Sequence, residues 1–233
     1  MRGFAEYDAE TAGRTVARLL LDIGAIDIRP DQPFTLTSGL ASPCYIDCRQ
    51  VISHPRARAL AMDLSCAMLV AEAGAERFDA VAGGETAGIP FAAWIAERLA
   101  LPMLYVRKKP KGFGRNARIE GVMAEGARVL LVEDLTTDGG SKLNFVSALR
   151  EAGAECAHTS VLFYYDIFPE VPERLAGHGI RLHRLATWRH VLAEVEATGR
   201  FDAAARAGLA SFMEAPLAWS AAHGGRDSHS LAF

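Results

Sequence analysis

The middle of the chain alternates regularly between short apolar runs and segments with helical spacing. Apolar runs of strand length occupy residues 78–82, 102–106, 128–132 and 158–164. Helical patterns at residues 90–100 and 142–152 each connect one predicted strand to the next. This alternation predicts an α/β fold with a parallel sheet flanked by helices on both faces. In such sheets ligands bind at the carboxyl ends of the strands.

The size and charge of the chain limit the classes of protein to which it can belong. Its 233 residues, half of them hydrophobic, suit one α/β domain with a small attachment. A net charge of -3 gives no reason to expect a nucleic-acid or membrane-surface partner. The first ten residues carry acids where a signal peptide needs a basic patch, and no apolar run could span a bilayer. We therefore expect a soluble, cytoplasmic protein.

The cysteines and histidines give no sign of a metal site. The seven histidines show no metal-ligand spacing, and the four cysteines include no C-x-x-C pair. We interpret the cysteines as reduced structural thiols: Cys44, Cys48, Cys66 and Cys156.

Composition and periodicity divide the chain into four parts. Residues 1–54 hold a first helix and a small N-terminal unit, and residues 55–190 hold the α/β core. Residues 191–219 are predicted to form small C-terminal helices. Residues 220–233 are polar and rich in Gly and Ser, so we expect a disordered tail there.

The N-terminal unit contains a polar face on a predicted strand. Two turn signals between residues 34 and 51 predict two short strands joined by a loop. Along the second strand Tyr45, Asp47 and Arg49 share one face, because side chains repeat every two residues. For Tyr45 the alternative is a half-buried strand tyrosine with no ligand.

The sharpest motif is VLLVEDLTTDGGS at residues 129–141. Four apolar residues form a buried strand, two acids follow, and then small and hydroxyl residues lead into a helix. Successive backbone N–H groups at such a helix start can converge on a phosphate, helped by the helix dipole. The motif therefore predicts an anion cradle.

The acid pair Glu133 and Asp134 stands directly before this anion cradle. Acids beside an anion site suit a ligand that also carries positive charge, either as a metal ion or as a developing cation. A phosphosugar with Mg²⁺ and an oxocarbenium-like transition state meets these requirements. Its sugar hydroxyls can also donate hydrogen bonds to the carboxylates. The alternative is an ordinary strand-to-helix turn with two exposed acids.

A second motif, YVRKKPKGFGRNARIEG at residues 105–121, is strongly basic. It places six cations within twelve residues and interrupts them with glycines and a proline. Taken alone, it could equally be a solvated basic loop or a nuclear-targeting patch.

Together these motifs resemble the type I phosphoribosyltransferases, and among them the orotate phosphoribosyltransferases. The acid pair and small-residue loop are similar to the family's binding signature for 5-phosphoribosyl-1-diphosphate (PRPP). The basic segment is similar to a mobile catalytic loop. FTLTSGLASP at residues 34–43 resembles the substrate-binding segment, and VAGGETAGIP at residues 81–90 a pyrophosphate loop. The four segments keep the family's order.

The resemblance implies a reaction and a set of site residues. Orotate would displace pyrophosphate from C1 of PRPP, giving orotidine 5'-phosphate on the route to UMP, with Mg²⁺ as cofactor. Lys111, Asp134 and Glu133 would be catalytic, and Thr137 and Tyr45 would contact orotate. The implied PRPP-binding residues are Arg107, Lys108, Lys111, Glu133, Asp134, Leu135, Thr136, Thr137, Asp138, Gly139, Gly140 and Ser141.

The resemblance also implies an architecture. It predicts a type I phosphoribosyltransferase-like parallel sheet with an N-terminal hood, which is the unit at residues 1–54, and a mobile basic loop. The family's loop reaches the neighbouring subunit's active site, so a homodimer with shared active sites is expected. Mg²⁺ would be held mainly through PRPP, with no dedicated set of protein ligands.

The sequence departs from the family pattern in the hood, the basic loop and the orotate contact. Phe113 stands where many members have a loop histidine, and Thr37 where some carry lysine. Ile167 stands where some relatives place an orotate-binding arginine. The group that binds the orotate carboxylate is therefore open, with Arg49 as a candidate.

Two rival functions share parts of this pattern. A phosphoribosyltransferase for a purine base would share the PRPP loop but not FTLTSGLASP or RKKPKG. A PRPP-sensing regulatory protein would need a nucleic-acid-binding surface, and the first thirty residues show neither a helix-turn-helix pair nor a basic face.

Overall fold

The computed structural model describes residues 7–74, 76–112 and 118–228. The eight α-helices of this part are α1 Ala9–Asp22, α2 Pro55–Ala73, α3 Gly88–Leu99, α4 Gly140–Glu151, α5 Glu170–Gly177, α6 Trp188–Thr198, α7 Ala203–Glu214 and α8 Pro216–Ala222. A 3-10 helix, η1, spans Cys48–Ser53. The strands are β1 Ile26–Ile28, β2 Phe34–Thr35, β3 Ala41–Ser42, β4 Cys44–Ile46, β5 Ala80–Gly84, β6 Met103–Val106, β7 Ile119–Glu120, β8 Arg128–Thr136, β9 Glu155–Tyr164 and β10 Arg181–Thr187.

The core is a six-stranded sheet in the order β10-β9-β8-β5-β6-β7. The first five strands are parallel, and only the short β7 at the edge is antiparallel to its neighbour. This arrangement confirms the predicted α/β class. Right-handed crossovers place α3 on one face of the sheet and α4 and α5 on the other, because the chain moves in opposite directions from β5 and from β8.

The direction of winding reverses between β5 and β8, the two central strands. Their carboxyl ends lead into connections on opposite faces of the sheet. This switch point is where open α/β sheets bind ligands. The residues that follow β5 and those at the end of β8 therefore share one site.

Strand β8 is longer than the sequence predicted. We expected it to end at residue 132, with Glu133 opening a loop, but pairing with β9 continues as far as Thr136. The ten-residue β9 supplies parallel partners up to Tyr164. Helix α4 also begins earlier than predicted, at Gly140. The acid pair therefore lies on a strand rather than in a loop.

The hood is built from two small antiparallel pairs, β1 with β4 and β2 with β3. The predicted strand carrying Tyr45, Asp47 and Arg49 on one face is wrong, since β4 ends at Ile46. Asp47 instead caps η1, and its carboxylate accepts a hydrogen bond from the backbone N–H of Arg49 at 3.2 Å. A short polar side chain at a helix start competes with strand pairing in this way.

The predicted disorder from residue 220 onward is wrong for the segment as far as Arg226. Ser220 lies within α8 and is fully buried. Its hydroxyl accepts a hydrogen bond from the N–H of Ala41 at 3.0 Å and donates one to the carbonyl of Arg226 at 2.6 Å. The N–H of Arg226 in turn donates to the carbonyl of Gly39. Residues 220–226 therefore pack against the hood, while residues 229–233 lie outside the described residues.

Helix α1 packs against the α/β core rather than against the hood strands. Asp8 caps α1, and the buried Val16 and Leu20 lie on the face that contacts α6 and β10. Within the described ranges, no helix has both the length and the apolar character that crossing a bilayer requires. The divisions at residues 54 and 190 remain an interpretation of the sequence.

Candidate functional site

The acid pair lies at the carboxyl end of β8, beside the switch point. Successive side chains of a strand point to opposite faces, and Glu133 is buried while Asp134 is half-buried. The interpretation of this motif as a turn with two exposed acids is therefore wrong for Glu133. Asp134 is the member of the pair that solvent, or a ligand, can reach.

Glu133 forms a buried ion pair with Lys142 of α4. The Lys142 Nζ lies 3.4 Å from Oε2 of Glu133, and both side chains are at least nine-tenths buried. Burial raises the pKa of Glu133, and the positive charge of Lys142 acts in the opposite direction. The second carboxylate oxygen, Oε1, is buried and has no hydrogen-bond partner within the described part of the chain.

Gly84 at the end of β5 and Gly88 at the start of α3 make room for this carboxylate. A Cβ atom placed on Gly84 would lie 2.0 Å from Oε1 of Glu133, and one on Gly88 would lie 2.3 Å from the carbonyl oxygen of Val132. Both distances are far shorter than real Cβ contacts. A larger residue at Gly88 would meet the backbone, and one at Gly84 would displace the buried Glu133 carboxylate. The glycines were expected to allow close approach of pyrophosphate, and this packing gives them a second reason.

The predicted anion cradle forms a tight turn between β8 and α4. Gly139 caps the helix with a left-handed backbone, φ +81°. Its N–H donates to the Thr136 hydroxyl at 3.1 Å, and the N–H of Gly140 donates to the Asp138 carboxylate at 2.9 Å. The turn therefore holds the start of α4 in position before any phosphate arrives. Thr137, Asp138 and Ser141 complete the six-residue loop.

The basic segment leaves the sheet at the end of β6 and returns through β7. Arg107 and Lys111 lie 3.5 and 3.7 Å from the carboxylate of Glu120. The N–H of Lys108 donates to Glu85 at 2.6 Å, which ties the segment to the loop that follows β5. Arg107 and Arg118 are half-buried against their own domain, so these two cations are not part of a fully solvated loop.

The structure describes only part of the basic segment. Phe113 and Arg115 lie outside the described residues. Lys111 is described, and 71% of its side chain is exposed. Arg107 contributes a buried Nε that has no hydrogen-bond partner in the described part.

The hood brings one aromatic ring and one cation to the site. Tyr45 stacks on Phe34 with 5.3 Å between ring centroids, and its side chain remains exposed. Arg49 pairs with Asp47 at 3.1 Å, and this hydrogen bond raises the pKa of Arg49. Weaker electrostatic interactions link Arg49 to Asp134 and Tyr45. Ile167 is buried, in keeping with an apolar rather than a ligand-binding position.

The described side chains at this site do not form a set of metal ligands. Among residues 7–74, 76–112 and 118–228, no group of three or more His, Cys, Asp or Glu side chains could hold a metal ion. All four cysteines are buried free thiols, as expected.

Comparison with known proteins identifies the family. A family model described as the phosphoribosyl transferase domain matches residues 66–176. The chain is 64% identical over 210 residues to an orotate phosphoribosyltransferase of Cereibacter sphaeroides, and the match covers 90% of each chain. The chain belongs to the orotate phosphoribosyltransferase family. This confirms the family, the enzyme class and the function that the sequence predicted.

Solved structures support the same fold for this member of the orotate phosphoribosyltransferase family. The crystal structure of an orotate phosphoribosyltransferase from Aeropyrum pernix is 32% identical, with a TM-score of 0.65 over 78% of this chain and 99% of that one. The structure of Leishmania donovani UMP synthase is 26% identical, with a TM-score of 0.75 over 88% of this chain. This chain spans 43% of that UMP synthase chain.

Two features of this orotate phosphoribosyltransferase family member were missed by the sequence analysis. Lys142 lies on the apolar stripe of α4 with Phe145, Val146 and Leu149, and that spacing was the available signal. The packing of Ser220 on the hood had no signal in the composition, which is polar and rich in small residues.

Proposed function

We propose that this chain transfers the 5-phosphoribosyl group from PRPP to orotate, giving orotidine 5'-phosphate and pyrophosphate in the synthesis of UMP. The observation that carries the proposal is the 64% identity with an orotate phosphoribosyltransferase over 90% of both chains. Orotate attacks C1 through its ring nitrogen N1, and the N1 proton passes to the departing pyrophosphate or to water as the N1–C1 bond forms and the C1–O bond breaks. The protein's task is then to position two anions and to stabilise the charge that develops between them.

Asp134 and Glu133 are proposed to act on the ribose ring. As C1 loses pyrophosphate, positive charge develops on the ring, and nearby carboxylates stabilise it. Asp134 is half-buried at the end of β8, so its oxygens can accept hydrogen bonds from ribose hydroxyls. Glu133 lies beneath the glycine loop and contributes its charge from within the protein.

The turn at Thr136–Ser141 is proposed to bind the 5'-phosphate. The start of α4 offers backbone N–H groups and the positive end of the helix dipole. Thr137 on the same turn is proposed to contact orotate. Tyr45 presents an exposed ring on the hood, on which a planar base could stack.

The basic segment is proposed to neutralise the departing pyrophosphate. Arg107, Lys108 and Lys111 supply the cations, and closure of the segment over the site would exclude the water that hydrolyses PRPP. Mg²⁺ is proposed to arrive bound to PRPP oxygens, where it lowers the charge of the leaving group. The protein's own cations act on the remaining charge.

The assembly and the compartment are also proposals. A homodimer is proposed in which Lys111 of one protomer serves the PRPP site of the other. A cytoplasmic location is proposed for the enzyme, with PRPP and orotate as its partners and neither nucleic acid nor membrane among them.

The direct test is an assay of the purified chain with PRPP, Mg²⁺ and a free base. We expect the ultraviolet absorbance of orotate to fall as orotidine 5'-phosphate forms, and no nucleotide to form from adenine or hypoxanthine. Turnover of a purine and not of orotate would overturn the proposal in favour of a purine enzyme. Binding of PRPP without turnover of any base would point to a regulatory protein.

A further inference from the structure

A lysine lies on the buried face of α4, where the pattern of the helix calls for an apolar residue. The side chain of Lys142 is 3% exposed. Phe145 and Val146, three and four residues later, pack against the sheet on the same face. A buried ammonium costs several kcal/mol unless it is paired and hydrogen-bonded, so its partners must account for its presence.

The partners of Lys142 come from both halves of the proposed PRPP site. Its Nζ donates to the Glu133 carboxylate at 3.4 Å, to the Ser141 hydroxyl at 3.3 Å and to the carbonyl oxygen of Leu135. Glu133 belongs to the acid pair, and Ser141 belongs to the phosphate turn. Leu135 lies between the two. One ammonium group therefore connects the strand end that faces the ribose with the turn that faces the phosphate.

Glu133 depends on this ammonium for its charge. Burial raises its pKa, and the charge of the neighbouring Asp134 acts in the same direction. Lys142 is the strongest influence that lowers the pKa, and Lys108 at the base of the basic segment adds a weaker one. On the hood side, Lys142 also faces the buried thiol of Cys48. Without Lys142, the Glu133 carboxylate would be a buried anion with no ion-pair partner.

We propose that Lys142 is a positioning residue for PRPP, whose ammonium holds Glu133 as an anion and fixes the Leu135 carbonyl so that the acid pair and the phosphate turn keep one geometry. This inference rests on the proposed function, because it assumes that PRPP binds at this site. Loss of the ammonium raises the pKa of the Glu133 carboxyl further, because burial and the charge of Asp134 then act without an ion-pair partner to oppose them. PRPP binding then becomes sensitive to pH in a range where the wild type is not.

The test is calorimetric titration of Mg²⁺ and PRPP into the wild type and into Lys142→Met, with no base present. Met is also unbranched, is one heavy atom shorter than Lys and carries no charge. The titrations run from pH 6.5 to pH 9. Relative to the wild type at the same pH, we expect the variant's dissociation constant to be at least about tenfold larger at the lowest pH, and this ratio to fall as the pH rises and restores the Glu133 anion. The titration of the PRPP phosphates affects both proteins equally, so it cancels in the ratio of the two dissociation constants.

Three further variants separate positioning from a general loss of stability. Lys142→Arg keeps the charge and should keep the wild-type pH profile. Glu133→Gln with Lys142→Met removes both charges, so its PRPP affinity should be weaker than wild type but should lose the extra pH dependence. Glu151→Gln, at the exposed end of α4, is the matched charge control and should bind as the wild type does.

The outcomes are distinct. If Lys142→Met has a lower melting temperature but a PRPP affinity in constant ratio to the wild type across this pH range, Lys142 is merely structural and the inference fails. If Lys142→Met does not fold, Lys142→Gln takes its place in the same pH comparison, because its amide removes the charge and can still donate a hydrogen bond to its neighbours. If the wild type itself binds no PRPP, the proposed function fails.

Discussion

At the scale of single residues, Asp134 is the carboxylate whose loss should affect the chemistry most directly. It is half-buried, whereas Glu133 beside it is buried and paired with Lys142. We expect Asp134→Asn to fold normally and to turn over orotate at least about tenfold more slowly, because a charge near the developing cation is neutralised. Steady-state rates with saturating PRPP measure this.

The matched control for Asp134→Asn is Asp63→Asn. Asp63 is an exposed aspartate that pairs with Arg98 between α2 and α3, away from the switch point. The same change of charge there should leave the rate unchanged. A wild-type rate for Asp134→Asn would remove this residue from the proposed mechanism.

Gly139 combines a left-handed backbone with a place in the proposed phosphate turn. Its φ is +81°, and an added Cβ would lie 3.2 Å from the Leu175 side chain. We expect Gly139→Ala to cost about 1 kcal/mol of folding free energy and to weaken PRPP binding as well. Gly199→Ala is the control, since Gly199 has a φ of +68° with open space around it at the end of α6.

Both glycine variants should lose similar stability in thermal melts, but only Gly139→Ala should bind PRPP more weakly by calorimetry. Equal PRPP affinity in the two variants would mean that the turn at Gly139 does not approach the phosphate.

At the scale of elements, a chain of hydrogen bonds ties α2 to the far edge of the sheet. Arg77 Nε donates to His158 on β9 at 3.2 Å, His158 bonds to His183 on β10 at 2.9 Å, and His183 bonds to Glu72 at 2.6 Å. Since Arg77 can only donate, His158 Nε2 must accept. His158 Nδ1 then donates to His183 Nε2, and His183 Nδ1 donates to the Glu72 carboxylate. Neutral His158 fits this arrangement and its protonated form does not.

The pKa of His158 is lowered to about 4, chiefly by burial and then by the neighbouring His183. The unfolded chain therefore binds a proton first as the pH falls. The stability contributed by neutral His158 is present above about pH 6.5 and is lost as the pH falls toward 4. Because His158 is partly exposed to solvent, we expect the free energy of unfolding to fall by about 1 kcal/mol, which is less than the whole pKa shift would imply.

Urea unfolding at pH 7 and pH 5 tests this loss in the wild type, in His158→Gln and in His54→Gln. His158→Gln should lose less stability on acidification than the wild type. His54→Gln changes an exposed histidine at the start of α2 and should follow the wild type. If all three lose the same stability, the effect does not come from His158.

The elements that the sequence predicted are those whose signals are local. Apolar periodicity predicted the central strands and α4, and the small residues at Thr136–Ser141 predicted the turn that precedes the helix. The end of β8 was not predictable, because its extension to Thr136 depends on pairing with β9. Lys142 was missed because a lysine in a helical pattern is normally solvated, and only the three-dimensional position of Glu133 explains its burial.

At the scale of the whole molecule, the proposed sharing of sites can be tested by exchanging subunits. Lys111 is exposed, and its ammonium lies at the long distance of 3.7 Å from the carboxylate of Glu120. Lys111→Ala and Asp134→Asn should each be nearly inactive as homodimers. A hybrid dimer contains one site with the intact loop and the intact pocket, so mixing should recover about a quarter of wild-type activity per subunit.

Each variant remixed with itself is the control for this experiment and should stay inactive. Native mass spectrometry of differently tagged chains would establish that subunits exchange. Exchange without recovery would mean that Lys111 serves its own subunit or that the two sites do not act independently.

The contact between the hood and residues 220–226 has a consequence for how the chain matures on the ribosome. The turn at Gly39 and Ala41 is synthesised early, but Ser220 and Arg226, which bond to it, are added only after the whole sheet has been translated. Domains usually fold from the N-terminus as the chain emerges. While the sheet assembles, the backbone groups of Gly39 and Ala41 in the nascent hood therefore hydrogen-bond to water instead of to Arg226 and Ser220. Capacity to bind a base should consequently mature later in synthesis than capacity to bind PRPP.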